Sequence, residues 1–250
     1  MHPILFTLGP ITIYTYGVCV FLGVVAGYGI SLVMAKKAGI DTRAMADIIF
    51  WTIVVSFLGA RVTYILVEFK AFLLDPVEIL FSRSGFVFYG GLIFGLPGLY
   101  FFTKKHTLNF WKVADCLSLA IPVAHAFGRV GCFFYGCCYG RVTTSLVGII
   151  FPEGSPAYCA GSRVIPTQLI EAASLILIFI VLMLARNILR VSGQLFLLYL
   201  ALYAVVRFVI EIFRADSRGA IGFLSTSQAI SILVLIFACI AARFLDYRQK

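Results

Sequence analysis

The sequence predicts an all-α polytopic membrane protein with about seven transmembrane helices, its N-terminus outside and its C-terminus cytoplasmic. The chain is 62% hydrophobic and 12% charged, with a mean hydropathy of +1.03, whereas soluble domains are about half apolar and a quarter charged. Seven apolar stretches each approach the roughly 20 residues that a helix needs to cross a bilayer core. Lysines and arginines concentrate between alternate stretches, as the positive-inside rule predicts for a fixed orientation.

Charged or Gly/Pro-containing breaks separate the stretches, because irregular backbone is excluded from lipid. The stretches span residues 11–35, 44–67, 86–103, 113–131, 167–185, 193–213 and 225–244. No basic region precedes the first stretch and no small-residue cleavage site follows it, so we expect it to stay in the membrane. Neither an internal repeat nor a low-complexity tract is evident, and we therefore expect a single integral-membrane domain over residues 1–250.

Basic residues orient the predicted helices. With the N-terminus outside, the inner connections, including Arg248 and Lys250, hold eleven of the 20 lysines and arginines, and the outer connections, including Arg218, hold six. The helices hold the remaining three, Arg61, Arg129 and Arg207. Topology and attraction to anionic lipid account for the net charge of +9, so no nucleic-acid partner is expected.

Polar residues of several helices fall at one predicted depth, the outer leaflet. They are Tyr16, Arg61, Tyr89, Arg129, Gln168, Glu171, Arg207, Ser227 and Gln228, with Gly90 and Gly91 beside Tyr89. Ionisable residues in the bilayer usually face the bundle interior or an aqueous cavity. Several of them at one depth therefore predict a functional site there. The alternative is that each arginine only extends to the outer headgroups.

The run RFVIEIFRAD spaces Arg207, Glu211 and Arg214 at i, i+4 and i+7, on one helical face. A carboxylate between two guanidiniums orients both, and Arg129 then supplies surplus positive charge. Guanidiniums match phosphate groups bidentately and stay charged when partly buried. The pattern favours an anionic ligand, with a purely structural salt bridge as the alternative.

Glycines interrupt two of the polar segments. In GRVGCFFYGCCYGR we expect them to break the helix and to admit a guest or a neighbouring helix; they are Gly128, Gly131, Gly136 and Gly140. Tyr89, Gly90 and Gly91 would offer a hydroxyl and exposed amides at a helix N-terminus. Together the segments predict a lipid-facing cavity with a phosphate-binding floor.

Three of the seven cysteines lie in the same run, at Cys132, Cys137 and Cys138. Their C-x4-C-C spacing differs from the C-x2-C typical of zinc sites, and only His125 lies nearby, so we predict no metal. A redox thiol pair remains an alternative. The prediction is that the cysteines are packing residues at positions too crowded for larger side chains.

Seven motifs in order connect the chain to a known family. They are HPILFTLGPITIYTYG, LGARVTY, FVFYGGLIFG, GRVGCFFYGCCYGR, PTQLIEA, RFVIEIFRAD and FLSTSQAIS. Through them the chain resembles the prolipoprotein diacylglyceryl transferases of bacterial inner membranes, nearly end to end. The resemblance implies transfer of the diacylglyceryl group of phosphatidylglycerol to the lipobox cysteine of a prolipoprotein signal peptide. A thioether forms and glycerol 1-phosphate leaves, without metal or soluble cofactor.

The resemblance also implies roles for individual residues at a site facing the periplasmic leaflet. Arg129 would bind phosphatidylglycerol, and Arg207 would serve catalysis or lipid handling, with Tyr89 as the third catalytic candidate. The predicted substrate-binding residues are Arg129, Tyr16, Arg61, Gly90, Gly91, Gly128, Gly131, Gly140, Gln168, Glu171 and Glu211. Tyr16 would form a wall of the headgroup cavity.

The chain departs from the family pattern at several positions. Tyr89 stands where better-known members carry histidine, and Cys132, Tyr135 and Cys137 stand in place of asparagine, asparagine and glutamate. A phenol is a poor general base at neutral pH, so we predict that Tyr89 hydrogen-bonds the headgroup or the sulfur. Nearby arginines would then lower the pKa of the acceptor thiol. Two alternatives remain: a non-catalytic lipid-binding or transport protein, and a membrane thiol oxidoreductase using Cys137 and Cys138.

Overall fold

Helices dominate the computed structural model, which describes residues 3–9, 11–81, 85–215, 220–221 and 223–247. Within these ranges the helices are α1 (Thr15–Lys37), α2 (Thr42–Val67), α3 (Phe69–Leu74), α4 (Pro76–Phe81), α5 (Phe88–Lys105), α6 (Phe110–Tyr135), α7 (Thr167–Ala185), α8 (Gln194–Phe213) and α9 (Thr226–Tyr247). Among the basic residues used to predict orientation, Arg83, Arg218, Arg248 and Lys250 lie outside the described residues.

Six helices are long and apolar enough to cross a membrane: α1, α2, α6, α7, α8 and α9. The seventh predicted segment is α5, whose 18 residues include Pro97 and two terminal lysines. Large apolar side chains such as Phe57 and Phe237 are more than half exposed on these helices, which suits lipid rather than water. The predicted all-α polytopic membrane fold is confirmed, while seven spans and the orientation of the termini stay predictions.

Short antiparallel strand pairs flank the helices. They are β1 (Ile4–Leu8) with β2 (Ile11–Tyr14), β3 (Ile149–Ile150) with β4 (Arg163–Val164), and β5 (Ala220–Ile221) with β6 (Leu224–Ser225). The first segment, predicted as helical from residue 11, begins its helix only at Thr15. Gly9, at φ +56°, turns the chain so that the β-branched run 11–13 pairs with β1.

The chain divides into two compact units, Met1–Ser31 with Ala114–Lys250, and Leu32–Val113. In the first unit α7 packs on α8 and α8 on α9, around a core that includes Ala126, Ala172 and Leu175. In the second, α2 packs along α5 through small residues: a Cβ on Gly59 would overlap Phe94, and one on Gly95 would overlap Ser56. The single domain expected from the sequence stays a prediction.

Helix α6 continues four residues beyond its predicted end. Gly128 and Gly131 lie inside it and do not break it, because the helical hydrogen bonds run on to Tyr135. The helix stops at Gly136, whose φ of +82° suits only glycine comfortably. The amides of Gly136 and Cys137 both donate to the carbonyl of Cys132, at 2.9 and 3.1 Å, which closes the last turn.

Candidate active site

Glu171 on α7 joins two arginines from two other helices. Its Oε1 lies 2.9 Å from Nη2 of Arg129 on α6, and its Oε2 lies 3.8 Å from Nη1 of Arg207 on α8. The Glu171 side chain is 1% exposed, and the two arginines are 13% and 10% exposed. Buried charges need partners, so this carboxylate lets both guanidiniums remain ionised in an apolar surrounding.

Glu211 completes the cluster on the other side of Arg207. Its Oε2 lies 2.6 Å from Arg207 Nη2, which also donates to Ser227 Oγ of α9 at 3.1 Å. The charge arrangement predicted from the sequence is wrong in one respect: Arg129 is not surplus, because Glu171 of a separate helix pairs with it and with Arg207. Glu211 pairs with Arg207 as predicted, and its pairing with Arg214 stays a prediction. Two cations and two anions therefore balance.

His125 and Tyr203 belong to the cluster although the sequence did not identify them as site residues. Arg129 Nε donates to His125 Nε2 at 3.2 Å, so that ring nitrogen carries no proton. The hydroxyl of Tyr203 donates to Glu171 Oε1 at 3.3 Å, and its ring meets the His125 ring edge-on. Each lies four residues before a cluster arginine, one helical turn away, which is the signal that could have found them.

Gln168 holds the loop that follows α6. Its side chain is fully buried, and its Nε2 donates to the carbonyl of Cys137 at 2.6 Å. Thr167 Oγ1 donates to the carbonyl of Cys138 at 2.8 Å. The Oε1 of Gln168 has no hydrogen-bond partner among the described residues, which leaves an acceptor near the cluster. The predicted part of Gln168 in substrate binding stays a prediction.

Tyr16 and two glycines shape the backbone around the cluster. A Cβ on Gly131 would lie 3.1 Å from the Tyr16 ring, so this glycine lets α1 approach α6. A Cβ on Gly140 would lie 2.8 Å from both Ile165 Cβ and the carbonyl of Phe213. Gly128 faces open space, with no atom of the described residues within 4 Å of such a Cβ. Close backbone approach, as predicted, occurs at two of these positions.

Three cysteines converge beside the arginines. The Sγ atoms of Cys132, Cys137 and Cys138 lie within 4.8 Å of one another, a grouping that the sequence did not predict. Arg214, predicted on the face of α8, instead caps that helix with extended backbone. Hydrogen bonds from Cys132 and Cys137, joined by one from Arg214, hold the pKa of the Cys138 thiol below its usual range.

The remaining predicted site residues lie in the other compact unit. Arg61 donates from Nη1 to the carbonyl of Gly85 at 3.1 Å, and from Nη2 to the carbonyls of Ile79 and Leu80 at 2.8 and 2.7 Å. Its side chain therefore links the end of α4 to Gly85, and its predicted part in substrate binding stays a prediction.

The Tyr89–Gly91 segment forms the start of α5. Tyr89 is 47% exposed. The amide of Gly91 is not exposed as predicted, because it donates to the carbonyl of Val87 at 3.3 Å. A Cβ on Gly90 would overlap Thr63 of α2, so this glycine serves helix packing.

Comparison with known proteins identifies the family. Residues 3–244 match the family described as prolipoprotein diacylglyceryl transferase. A phosphatidylglycerol–prolipoprotein diacylglyceryl transferase of Clostridium tetani is 32% identical over the whole of both chains. One from Clostridioides difficile is 34% identical over all of this chain and 98% of its own. The second such transferase of Clostridium perfringens is 35% identical over 90% of this chain and 88% of its own. The chain therefore belongs to the prolipoprotein diacylglyceryl transferase family.

Proposed function

We propose that this protein transfers the diacylglyceryl group of phosphatidylglycerol to the lipobox cysteine of prolipoprotein signal peptides, at the outer leaflet of a bacterial inner membrane. The match to the family over residues 3–244 carries the proposal, and the names of the relatives state both substrates. The buried cluster is compatible with this role because guanidinium groups match phosphate oxygens, and a phosphate would compete with Glu171 and Glu211 for their donors.

In the proposed reaction the acceptor sulfur attacks the glycerol carbon that bears the phosphate ester. A carbon–sulfur bond forms, the carbon–oxygen bond breaks, and its electron pair leaves with the phosphate. The leaving group changes from a diester with one negative charge to a monoester with nearly two. Arg129 and Arg207 would stabilise this charge, since oriented donors in a dry site are worth about 10²–10³ in rate for each one removed.

The geometry suits this role because the two guanidiniums are held before substrate arrives. Glu171 and Glu211 fix their planes, and Arg207 Nη1 has no hydrogen-bond partner among the described residues. Nη1 is buried and lies 3.8 Å from Glu171 Oε2, so a phosphate oxygen that enters the site would compete with this carboxylate for the donor. Glu171, Glu211 and Gln168 act in this proposal as positioning residues, while Tyr16 lines the headgroup cavity.

An apolar cavity along α7 and α8 would receive an acyl chain. It has a volume of about 350 Å³, and its lining includes Ile170, Ser174, Val205, Val209 and Phe213 of α7 and α8. Ile170 and Glu171 are consecutive on α7 but point in different directions, and none of Arg129, Glu171, Arg207 and Glu211 lines the cavity. The cavity is therefore proposed as an acyl-chain surface on the same two helices as the charged cluster, separate from it.

The test is a reconstituted reaction. Protein purified in detergent is incubated with phosphatidylglycerol and a lipobox peptide, and thioether-linked peptide and glycerol phosphate are both measured. We expect product from the wild type and from Arg190→Ala, which removes an exposed arginine between α7 and α8, and none from Arg129→Ala. Lipid binding without product would instead favour the non-catalytic alternative.

Tyr89 requires a separate variant, because its proposed role is a hydrogen bond to the headgroup or the sulfur. Tyr89→Phe retains the ring and removes only the hydroxyl. We expect a loss of turnover of about tenfold, the value of one hydrogen bond of roughly 1.4 kcal/mol. Unchanged turnover would remove Tyr89 from the mechanism.

A further inference from the structure

The three clustered thiols have a separation that one metal ion can close. Zinc–sulfur bonds of about 2.3 Å place tetrahedral thiolates about 3.8 Å apart, and the Sγ atoms of Cys132, Cys137 and Cys138 already lie within 4.8 Å of one another. Side-chain rotation of a few tenths of an ångström to about 1 Å would complete the contact. Packing alone does not require three sulfurs to point at one another.

The backbone is folded so that the sulfurs meet. Gly136 and Cys138 both have positive φ, at +82° and +64°, which turns the loop back over the last turn of α6. A cysteine rarely adopts this conformation. The loop is then fixed by Gln168 and Thr167, whose side chains are buried and donate to the carbonyls of Cys137 and Cys138. Hydrogen bonds of this kind orient metal ligands in known sites.

The surroundings suit a set of thiolates. Arg214, 5% exposed, hydrogen-bonds Cys138, and Arg129 lies one helical turn before Cys132 on α6. Each of the three cysteines is partly exposed, so one side of the cluster remains accessible.

We propose that Cys132, Cys137 and Cys138 bind one thiophilic d10 cation of the Zn²⁺ class and leave its fourth position open for the acceptor cysteine. Three protein ligands with one open position is the arrangement of catalytic rather than structural zinc sites. The part concerning the acceptor rests on the proposed transferase function, whereas the binding of the cation does not.

Such a site would account for deprotonation of the acceptor thiol although Tyr89, a poor general base, stands in place of histidine. A thiol that coordinates a divalent cation gives up its proton, here to bulk water, so no side-chain base is required. The bound sulfur then attacks the glycerol carbon, the carbon–oxygen bond breaks, and glycerol 1-phosphate leaves with the electron pair. The thioether, a weaker ligand than thiolate, dissociates, and the cation keeps its oxidation state throughout.

The experiment uses the full chain, purified in detergent under reducing, oxygen-free conditions. Zn²⁺ content is measured by mass spectrometry, and Co²⁺ is titrated as a spectroscopic probe for thiolate ligation. We expect one ion per chain and thiolate-to-cobalt charge-transfer bands. Gln168→Ala should weaken Co²⁺ binding about 10–100-fold, and Cys137→Ser or Cys138→Ser at least as much. Cys239→Ser, at an exposed position on α9, is the matched control and should bind normally.

A second arm tests the acceptor. A lipobox peptide should shift the Co²⁺ bands, and the same peptide with serine in place of its cysteine should not. Transferase activity should fall on chelation and return with Zn²⁺. An active enzyme that lacks metal and ignores chelators would overturn the inference while the proposed function stands. Bands that respond to the peptide without any thioether product would support the metal site and refute the transferase. Loss of two thiols to a disulfide, with no metal bound, would refute the site.

Discussion

Replacing Glu171 with glutamine tests whether one buried carboxylate holds the charged cluster together. Glutamine keeps the shape and removes the charge, which leaves Arg129 and Arg207 with only Glu211 as an anionic partner among the described residues. At an effective dielectric constant of about 20, attraction across 2.9 Å is about 6 kcal/mol and across 3.8 Å about 4 kcal/mol.

The net loss is smaller than these attractions, because the carboxylate no longer has to be desolvated. Removing one partner of a buried ion pair typically lowers stability by roughly 3–5 kcal/mol, and we expect Glu171→Gln to lower the free energy of unfolding by that amount. The assay is unfolding by sodium dodecyl sulfate in mixed micelles, followed by circular dichroism. Glu153→Gln, at an exposed loop position, should change stability by less than about 0.5 kcal/mol.

Two further measurements test the dependence of the arginines on Glu171. In a double-mutant cycle with Arg129→Gln, the two changes should be non-additive by about 1–3 kcal/mol, as expected for direct partners. Glycerol 1-phosphate should stabilise Glu171→Gln more than the wild type, since an anion can then replace the missing carboxylate. A loss of less than about 1 kcal/mol in Glu171→Gln, below the range for buried pairs, would show that the guanidiniums do not depend on it.

Three other substitutions test a helix cap, a close backbone contact and a hydrogen bond in the helices that carry the cluster. Asp115→Ala should lower the free energy of unfolding by about 1–2 kcal/mol in the same micelle assay, because its carboxylate accepts hydrogen bonds from two amides at the start of α8. Gly140→Val should destabilise by about 1–3 kcal/mol, measured likewise, because its side chain would meet Ile165. Tyr203→Phe should lower stability by about 1 kcal/mol and reduce turnover in the reconstituted assay, because it removes the hydrogen bond to Glu171.

The helices were predictable because the bilayer imposes their length and composition. Segments 167–185 and 193–213 match α7 and α8 to within one residue. An apolar run of this length that ends in polar residues can cross a bilayer only as a helix with those ends. The hairpin of β1 and β2 was not predictable in this way. Its second strand is as apolar as the helix that follows, so hydropathy alone assigns both to one span.

The convergence of Arg129, Glu171 and Arg207 was predictable, but their pairings were not, and the common outer-leaflet level of all the site residues stays a prediction. Counting residues along each helix gives depth, whereas the rotation of a helix about its axis depends on packing that hydropathy does not encode. Glu171 was therefore correctly expected near the arginines, yet its position between Arg129 and Arg207 came only with the structure. The cysteine cluster was missed for a different reason: it depends on positive φ at Cys138, which few residues other than glycine adopt.

Charge balance links the two parts of the proposed mechanism. The resting arginine cluster is neutral, which is how guanidiniums at this depth avoid the large free energy of an unpaired charge in the membrane. Three thiolates with a divalent cation carry one negative charge, which Arg214 offsets. Reaction would then move one negative charge from the acceptor sulfur to the phosphate. Net charge in the site stays constant during this step, so the rate depends on how well the donors of Arg129 and Arg207 are oriented toward the leaving oxygen.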